Sequence, residues 1–315
     1  MKDKTSEQLA WLIRRHGIEM THLSGGSHIG PVLSVADIVA VLYGCVMRYD
    51  PQNPRWEERD RFILSKGHAG ASIYAALAES GLFPTEELKT HYQNGSRLSG
   101  HVSYHLPGVD FSTGSLGHGL SAGSGMALAA KQDGKGHRVF VVTGDGECDE
   151  GSVWEAALFA NHFRLNNLVL LVDHNHMQSL DTCQNTLELD SLAAKFAAFG
   201  WHTIEVDGHD HQQLKAALQP DSSHAKPTAI ICNTVKGKGI SFMEHDVLWH
   251  YRFPHQGWEY DLAVTELHHS KPEGVTDPYT PDGIANPTHP EEDADIGNDH
   301  TLTAGYHPTF FSREV

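Results

Sequence analysis

Cysteine is scarce in this chain of 315 residues: Cys45, Cys148, Cys183 and Cys232 are the only four, separated by 103, 35 and 49 positions. That spacing contains no CxxC pair and no disulfide framework, so the thiols are expected to be reduced and the location cytoplasmic. Basic residues are also in short supply. Twenty-three Lys and Arg stand against 40 Asp and Glu, a formal charge of -17 that repels phosphate backbones and anionic membrane surfaces. Neither nucleic acid nor a membrane surface is an expected partner. Long apolar runs are missing too: aliphatic stretches reach only about five residues and the chain starts with a polar segment, Met1 to Glu7, so neither a signal peptide nor a membrane span is expected. What remains, 39% hydrophobic and 20% charged, is the make-up of a globular chain long enough for one large α/β domain or two ordinary ones.

Four β-rich runs alternate with helical patterns. The strands are expected at 138–143 (RVFVVT), 167–173 (NLVLLVD), 202–207 (HTIEVD) and 228–234 (TAIICNT), with helices at 152–164, 189–199 and 210–219. Near-continuous aliphatic strands fit a parallel sheet buried on both faces, and their rhythm with the helices predicts an α/β fold: a doubly wound, mostly parallel sheet with helices on both faces. Near the start, Thr5 and Gln8 form a capping box for a helix bearing Leu9, Leu12 and Ile13 on one face. The acidity concentrates at the other end, where residues 261–315 hold eleven Asp or Glu against two Lys or Arg, with six prolines. A domain of residues 1–262 followed by an acidic, proline-rich tail, 263–315, is therefore expected.

Ligands of open α/β sheets collect at the carboxyl ends of the strands. One such end runs into Gly144-Asp145-Gly146 and the next into Asp173-His174-Asn175-His176-Met177, which sets Asp145 and Asn175 side by side. A carboxylate, an amide oxygen and a backbone carbonyl two residues on are hard oxygen ligands suited to Mg²⁺ or Ca²⁺, and Mg²⁺ brings a diphosphate as its companion. The glycines permit close approach of that anion, and the helix beginning near Ser152 would point its N-terminus at it. Gly-Asp-Gly also makes ordinary turns. A third loop, Ser112 to Gly119 (STGSLGHG), suits either close contact with a flat ligand or a flexible connection into a small-residue helix.

Among 24 histidines, four stand in distinctive strings: His28 in SHIGP, His68 in SKGHAG, His101 in SGHVSYH and His250 in LWHYRFP. Neutral-range imidazoles donate to phosphate and carbonyl oxygens and move protons between hydroxyls. The pairs HNH (174–176), HDH (209–211) and His268-His269 lack the four ligands of a zinc site. Lys236 in TVKGKG ends a strand and faces either an anion or solvent.

In order along residues 5–260, SHIG with SVADIVAVLY, RDRFILSKGHAGASIYAAL, SGH, STGSLGHGLSAGSGMALA, GDGECDEGSVWEA, VDHN, AFGWHTIEVDGHD, PTAIICNTVKGKGISFM and WHY resemble the N-terminal, diphosphate-binding half of transketolase. The resemblance implies thiamine diphosphate with a divalent metal, Mg²⁺ or else Ca²⁺ or Mn²⁺. Asp145, Asn175 and the Met177 carbonyl would hold the metal. Gly114, Ser115, Leu116, Gly146, His68 and Lys236 would contact the cofactor, with Asn175 and His250 beside it. His28, His101 and His250 would face the reacting sugar, and Glu150 would lie near a subunit interface. The activity implied is transfer of a two-carbon ketol unit from a ketose, phosphorylated or similarly anionic, to an aldose.

The family's pyrimidine-binding and C-terminal domains, with the glutamate that activates the cofactor, have no counterpart in this chain. The resemblance therefore implies one subunit of a split transketolase, joined as α₂β₂ by a second polypeptide carrying those domains. Tyr251 and His118 stand where the family often has Gly and Gln. Two other readings are an α subunit of a thiamine-dependent 2-oxo acid dehydrogenase, against which SHIG, SKGH and WH argue, and a non-catalytic cofactor-binding scaffold.

Overall fold

The structure is a computed structural model that describes residues 4–221 and 223–279. Along the chain, α1 (Ser6–Ser24), α2 (Ile29–Val41), β1 (Arg61–Leu64), α3 (Gly70–Glu79), α4 (His118–Gln132), β2 (Val139–Gly144), α5 (Gly151–His162), β3 (Leu168–His174), α6 (Cys183–Thr186), α7 (Leu192–Ala198), β4 (His202–Asp207), α8 (His211–Ala217), β5 (Thr228–Asn233) and α9 (Trp258–His269) follow one another. The five strands form one sheet in the order β1-β2-β3-β5-β4, and every pairing is parallel. The four aliphatic runs fall within a residue or so of the observed strands. The short run Arg61–Leu64 adds an edge strand that only its place inside the RDRFILSKGH string had marked.

Alternation along the strands explains why both faces are apolar. Phe62, Leu64, Phe140, Val142, Val169, Leu171 and Ile230 join one core with α1, α2, α3, α8 and α9, whereas Ile63, Val139, Val141, Leu168, Leu170, Val172 and Ile231 join a second core with α4, α5 and α7. The sheet is thus sandwiched between two helical layers, as the strand–helix rhythm predicts. The segment Ile29–Val46 has a mean hydropathy of 2.0 over 18 residues, and by length and composition it could cross a membrane. It is instead the central helix of the first core, with 83% of its residues buried inside the protein. α1 begins with the expected capping box: Thr5 Oγ1 accepts from the Gln8 amide at 3.2 Å, and the Thr5 amide donates to Gln8 Oε1 at 2.9 Å. Leu9, Leu12 and Ile13 are buried as expected.

The division expected at residue 262 falls inside α9. Ala263, Val264 and Leu267 on that helix are buried in the first core, and the Trp11 indole donates to the Leu267 carbonyl at 2.7 Å. Beyond the helix, Asp277 accepts from Arg15 at 3.0 Å and pairs with His268 at 2.6 Å, and the Tyr279 hydroxyl lies 2.6 Å from His16 Nδ1. The apolar positions of α9 and these polar ties bind residues 263–279 to α1. The remainder of the expected tail, 280–315, lies outside the described residues. Removing Val264 and Leu267 costs about 1.5–3 kcal/mol each. A chain ending at 262 should therefore melt roughly 5 °C or more below one ending at 279 in a thermal scan, and equal melting temperatures would contradict this packing.

Candidate functional site: a cleft at the carboxyl ends of the strands

β1, β2, β3 and β5 end on the same edge of the sheet, and the residues that follow them line a cleft of about 230 Å³. Lys66 and His68 come from the exit of β1, Asp145, Gly146 and Glu147 from β2, Asn175, Met177 and Gln178 from β3, and Lys236 from β5. His28 and Pro31 at the start of α2, with His101, Gly114, Leu116, His250 and Tyr251 from loops, complete the walls. Of the metal, cofactor and sugar residues expected from the sequence, Ser115 does not line it, and neither do His118 and Glu150. Ser115 is exposed between two lining neighbours, and Glu150 is the exposed residue preceding α5. The helix start that reaches the cleft is also not the expected one. The first turn of α5 packs on the STGSLGHG loop, where Ser152 Oγ donates to the Gly117 carbonyl at 2.9 Å, whereas α2 lends its N-terminus.

The oxygen donors converge as the strand ends required. β2 and β3 are neighbours with Gly144 opposite Asp173, so the two exit loops run side by side. Asp145 accepts from the His176 amide at 2.5 Å and from the Gly146 amide at 2.8 Å. Asn175 Oδ1 accepts from the Met177 amide at 3.1 Å. Burial, with the Asp173 carboxylate as a second cause, pushes the Asp145 carboxyl above its usual range. Asp145 has no Lys or Arg ion pair among the described residues, which is the condition of a carboxylate placed for a cation.

Beneath it lies a network that the sequence motifs do not mark. Lys66 and Asp173, both fully buried, form an ion pair through Lys66 Nζ and Asp173 Oδ2. Ser34 of α2 donates to the same oxygen at 2.6 Å and Thr234 to Oδ1 at 2.5 Å. A charged residue at the end of an aliphatic strand is the signal that could have pointed to Lys66 and Asp173. A second unmarked group is Glu147, buried and bonded to Ser65 Oγ, the Gly117 amide at 2.9 Å and the Gly144 amide at 3.2 Å. It ties the STGSLGHG loop to the GDG loop. At Gly67 in the exit of β1, a Cβ would stand 2.8 Å from the Gly114 nitrogen, so only glycine lets that exit pack so closely on the STGSLGHG loop.

Four histidines from four distant segments meet at the mouth. The His28 ring lies 5.3 Å from His68, 5.8 Å from His101 and 5.2 Å from His250, and His68 lies 5.1 Å from His250. Burial first, then neighbouring positive charge, lowers their basicity: His28 to about 4, His250 to about 2 and His68 well below the ordinary imidazole value. His101 is lowered by burial. At neutral pH the cluster is uncharged. Lys236, 1% exposed, donates to the Gln178 carbonyl at 2.6 Å and lies 2.9 Å from His250 Nδ1. Burial, then the Lys66 charge, brings it down to about 8. It has no carboxylate ion pair among the described residues.

His202, Asp221 and His224 gather away from the cleft, their donor atoms within 4.8 Å of one another. The Lys226 amide donates to His224 Nδ1 at 3.3 Å, and His224 Nε2 lies 3.5 Å from Asp221.

Known proteins resemble this chain in sequence and fold. Residues 5–250 match the family described as "Transketolase, thiamine diphosphate binding domain". The chain is 42% identical over 259 residues to the 6-deoxy-6-sulfo-D-fructose transketolase subunit SqwG of Clostridium sp. (strain MSTE9), covering 81% of this chain and 94% of that protein. It is 37% identical over 268 residues to an apulose-4-phosphate transketolase subunit of Phocaeicola vulgatus, covering 85% and 95%. Against the transketolase of Mus musculus it is 42% identical over 239 residues, 76% of this chain but 38% of the mouse protein. The solved transketolase from Leishmania mexicana superposes with a TM-score of 0.77 at 31% identity, covering 84% of this chain and 41% of that one. The fold is thus that of an α/β thiamine diphosphate-binding domain. The chain belongs to the transketolase family of transferases, and it corresponds in extent to the separately encoded subunits while spanning about two-fifths of the undivided enzymes. These matches set aside the 2-oxo acid dehydrogenase alternative.

The cluster's pKa values carry a stability consequence. They lie below that of free imidazole, so the unfolded chain binds protons that the folded cluster refuses. The cluster's contribution is complete above about pH 6.5 and is lost as pH falls, down to about 4 for His28 and about 2 for His250. In urea melts the unfolding free energy should decline through that window, and His250→Asn should flatten the decline by up to roughly 1.4 kcal/mol per pH unit. An unchanged slope would show that His250 takes up its proton in the folded state.

Proposed function

We propose that this chain is the cofactor-anchoring subunit of a two-chain transketolase, assembled as α₂β₂ with a partner that carries the pyrimidine-binding and C-terminal domains. The observation that carries this reading is the separation of charge in the cleft: among the described residues, the buried Asp145 carboxylate has no Lys or Arg ion pair and the buried Lys236 ammonium has no carboxylate ion pair. A divalent metal and a diphosphate together satisfy both. Asp145, Asn175 Oδ1 and the Met177 carbonyl form a hard-oxygen set suited to Mg²⁺, or to Ca²⁺ or Mn²⁺, and Gly114, Leu116, Gly146, His68 and Lys236 would receive the cofactor, with Ser115 outside the cleft lining.

Thiamine diphosphate, when bound, supplies the nucleophilic carbon that accepts and passes on the two-carbon ketol unit. The chain's own residues orient and shuttle protons. His250 Nδ1 accepts from the Lys236 ammonium, which leaves its Nε2–H as a donor to a sugar oxygen. His28, whose Nδ1 lies 2.8 Å from Ser27 Oγ, and His101 complete a set of uncharged imidazoles that can donate or accept as hydroxyl and carbonyl oxygens exchange protons. Two relatives are named for a sulfonated and a phosphorylated sugar, and an anionic ketose is the donor class we assign here. Recognition of its anionic group would fall to the partner. Four free thiols support a cytoplasmic location.

Mixing the chain with its partner, thiamine diphosphate and Mg²⁺ should produce ketol transfer that neither chain shows alone; full activity from the purified chain would refute the two-chain reading. In the assembled enzyme, Asp145→Ala should abolish Mg²⁺-dependent cofactor binding in calorimetry, and binding with unchanged metal dependence would remove Asp145 from the ligand set. His101→Ala and His250→Ala should each lower kcat/KM about a hundredfold while weakening cofactor binding far less. Unaltered turnover would assign these two imidazoles a packing role.

A further inference from the structure

Asp37 is the one charged residue in the apolar helix α2, and it is buried. Burial raises its pKa, but Arg14, His209 and His211 together hold it well below the ordinary carboxylate value. Arg14 grips both oxygens, at 3.1 and 2.5 Å, His211 Nε2 lies 3.0 Å from Oδ1, and His209 Nδ1 lies 2.7 Å from Oδ2. The other nitrogen of His209 fixes its tautomer. Nε2 accepts from the Val235 amide at 2.9 Å, so the proton sits on Nδ1 and is donated to Asp37.

Val235 immediately precedes Lys236. The same turn presses on this stretch through Gly208, whose amide donates to the Asn233 carbonyl at 2.8 Å and where a Cβ would stand 2.4 Å from Thr234 Cγ2. Around the lysine, the Thr234 amide donates to the His174 carbonyl at 3.0 Å, the Gly237 amide to Gly30 at 3.2 Å, and the His245 amide to Lys236 itself at 3.0 Å. Each of those ties is backbone to backbone. The Val235 amide is held by a side chain, and that side chain is anchored to the helix whose N-terminus opens on the cleft.

We propose that His209, oriented by Asp37, is a positioning residue for Lys236, fixing the backbone at Val235 so that the buried ammonium is presented to the cofactor's diphosphate. This rests on the reading of Lys236 given above. A buried lysine has several rotatable bonds, and an anion gains from it only as far as its backbone is already in place.

Two amides separate the halves of the histidine. Gln places its terminal group where Nε2 stands and can accept from Val235; Asn places its group where Nδ1 stands and can reach Asp37 but not Val235. In the assembled enzyme with Mg²⁺, calorimetric titration of thiamine diphosphate should show H209A and H209N binding about tenfold more weakly and H209Q within about threefold of wild type. The KM for the sugar should stay unchanged. H209A combined with Lys236→Ala should bind no more weakly than Lys236→Ala alone, because both act on one contact. Equal behaviour of H209N and H209Q, wild-type affinity of H209A, or losses that multiply in the double variant would each overturn the inference. Failure of the wild-type enzyme to bind thiamine diphosphate would instead overturn the reading of Lys236 on which it rests.

Discussion

The buried ion pair between Lys66 and Asp173 is the interaction on which the rest of the site depends. It joins the exit of β1 to the end of β3, and through Ser34 and Thr234 it also holds α2 and the exit of β5. Four elements that carry separate parts of the cleft therefore share one charged knot. Two opposite charges out of water are stable only when each is paired and hydrogen-bonded, and here Asp173 has the ammonium and two hydroxyls. Because Lys66 is committed to Asp173, Asp145 stands one strand away with backbone amides as its donors. The cleft is thereby polarised, with surplus negative charge at the exit of β2 and surplus positive charge at Lys236.

That polarisation gives the histidines their character. Lys66 and Lys236 contribute to lowering His28, His68 and His250, after the larger effect of burial. A cluster of four imidazoles would repel itself if charged. Kept neutral, each ring offers one donor and one acceptor, which suits a polyhydroxylated substrate better than a fixed positive charge does. Tyr251, 57% exposed and 5.7 Å from the His28 ring, stands at the entrance to the same cluster.

Much of this was legible in the sequence, for identifiable reasons. β2 to β5 showed because a parallel strand buried on both faces must be aliphatic throughout, and Asp145, Asn175 and Lys236 showed because strand exits are where such sheets keep their ligands. β1 was hard to see as a strand because Arg61–Leu64 is only four residues long. The meeting of His28, His68, His101 and His250 is a product of topology, invisible to any local period, and the shared strings only hinted at it. Asp37 inside an apolar helix, and Lys66 and Asp173 at the ends of aliphatic strands, are charged residues whose signal is present in the letters but without a partner until the fold supplied one. The expected boundary at 262 followed the prolines and acids of the last residues and passed over the apolar positions 263, 264 and 267, whose burial carries the packed unit on to Tyr279.

The central claim is that the strand exits of this chain hold a metal and a diphosphate side by side, and diffraction from the assembled enzyme grown with thiamine diphosphate and Mn²⁺ tests it most directly. Data collected at the manganese absorption edge should give an anomalous peak bounded by Asp145, Asn175 and the Met177 carbonyl, with diphosphate density between that peak and Lys236. A cofactor bound with its metal elsewhere, or a cleft that stays empty at saturating cofactor, would contradict the account.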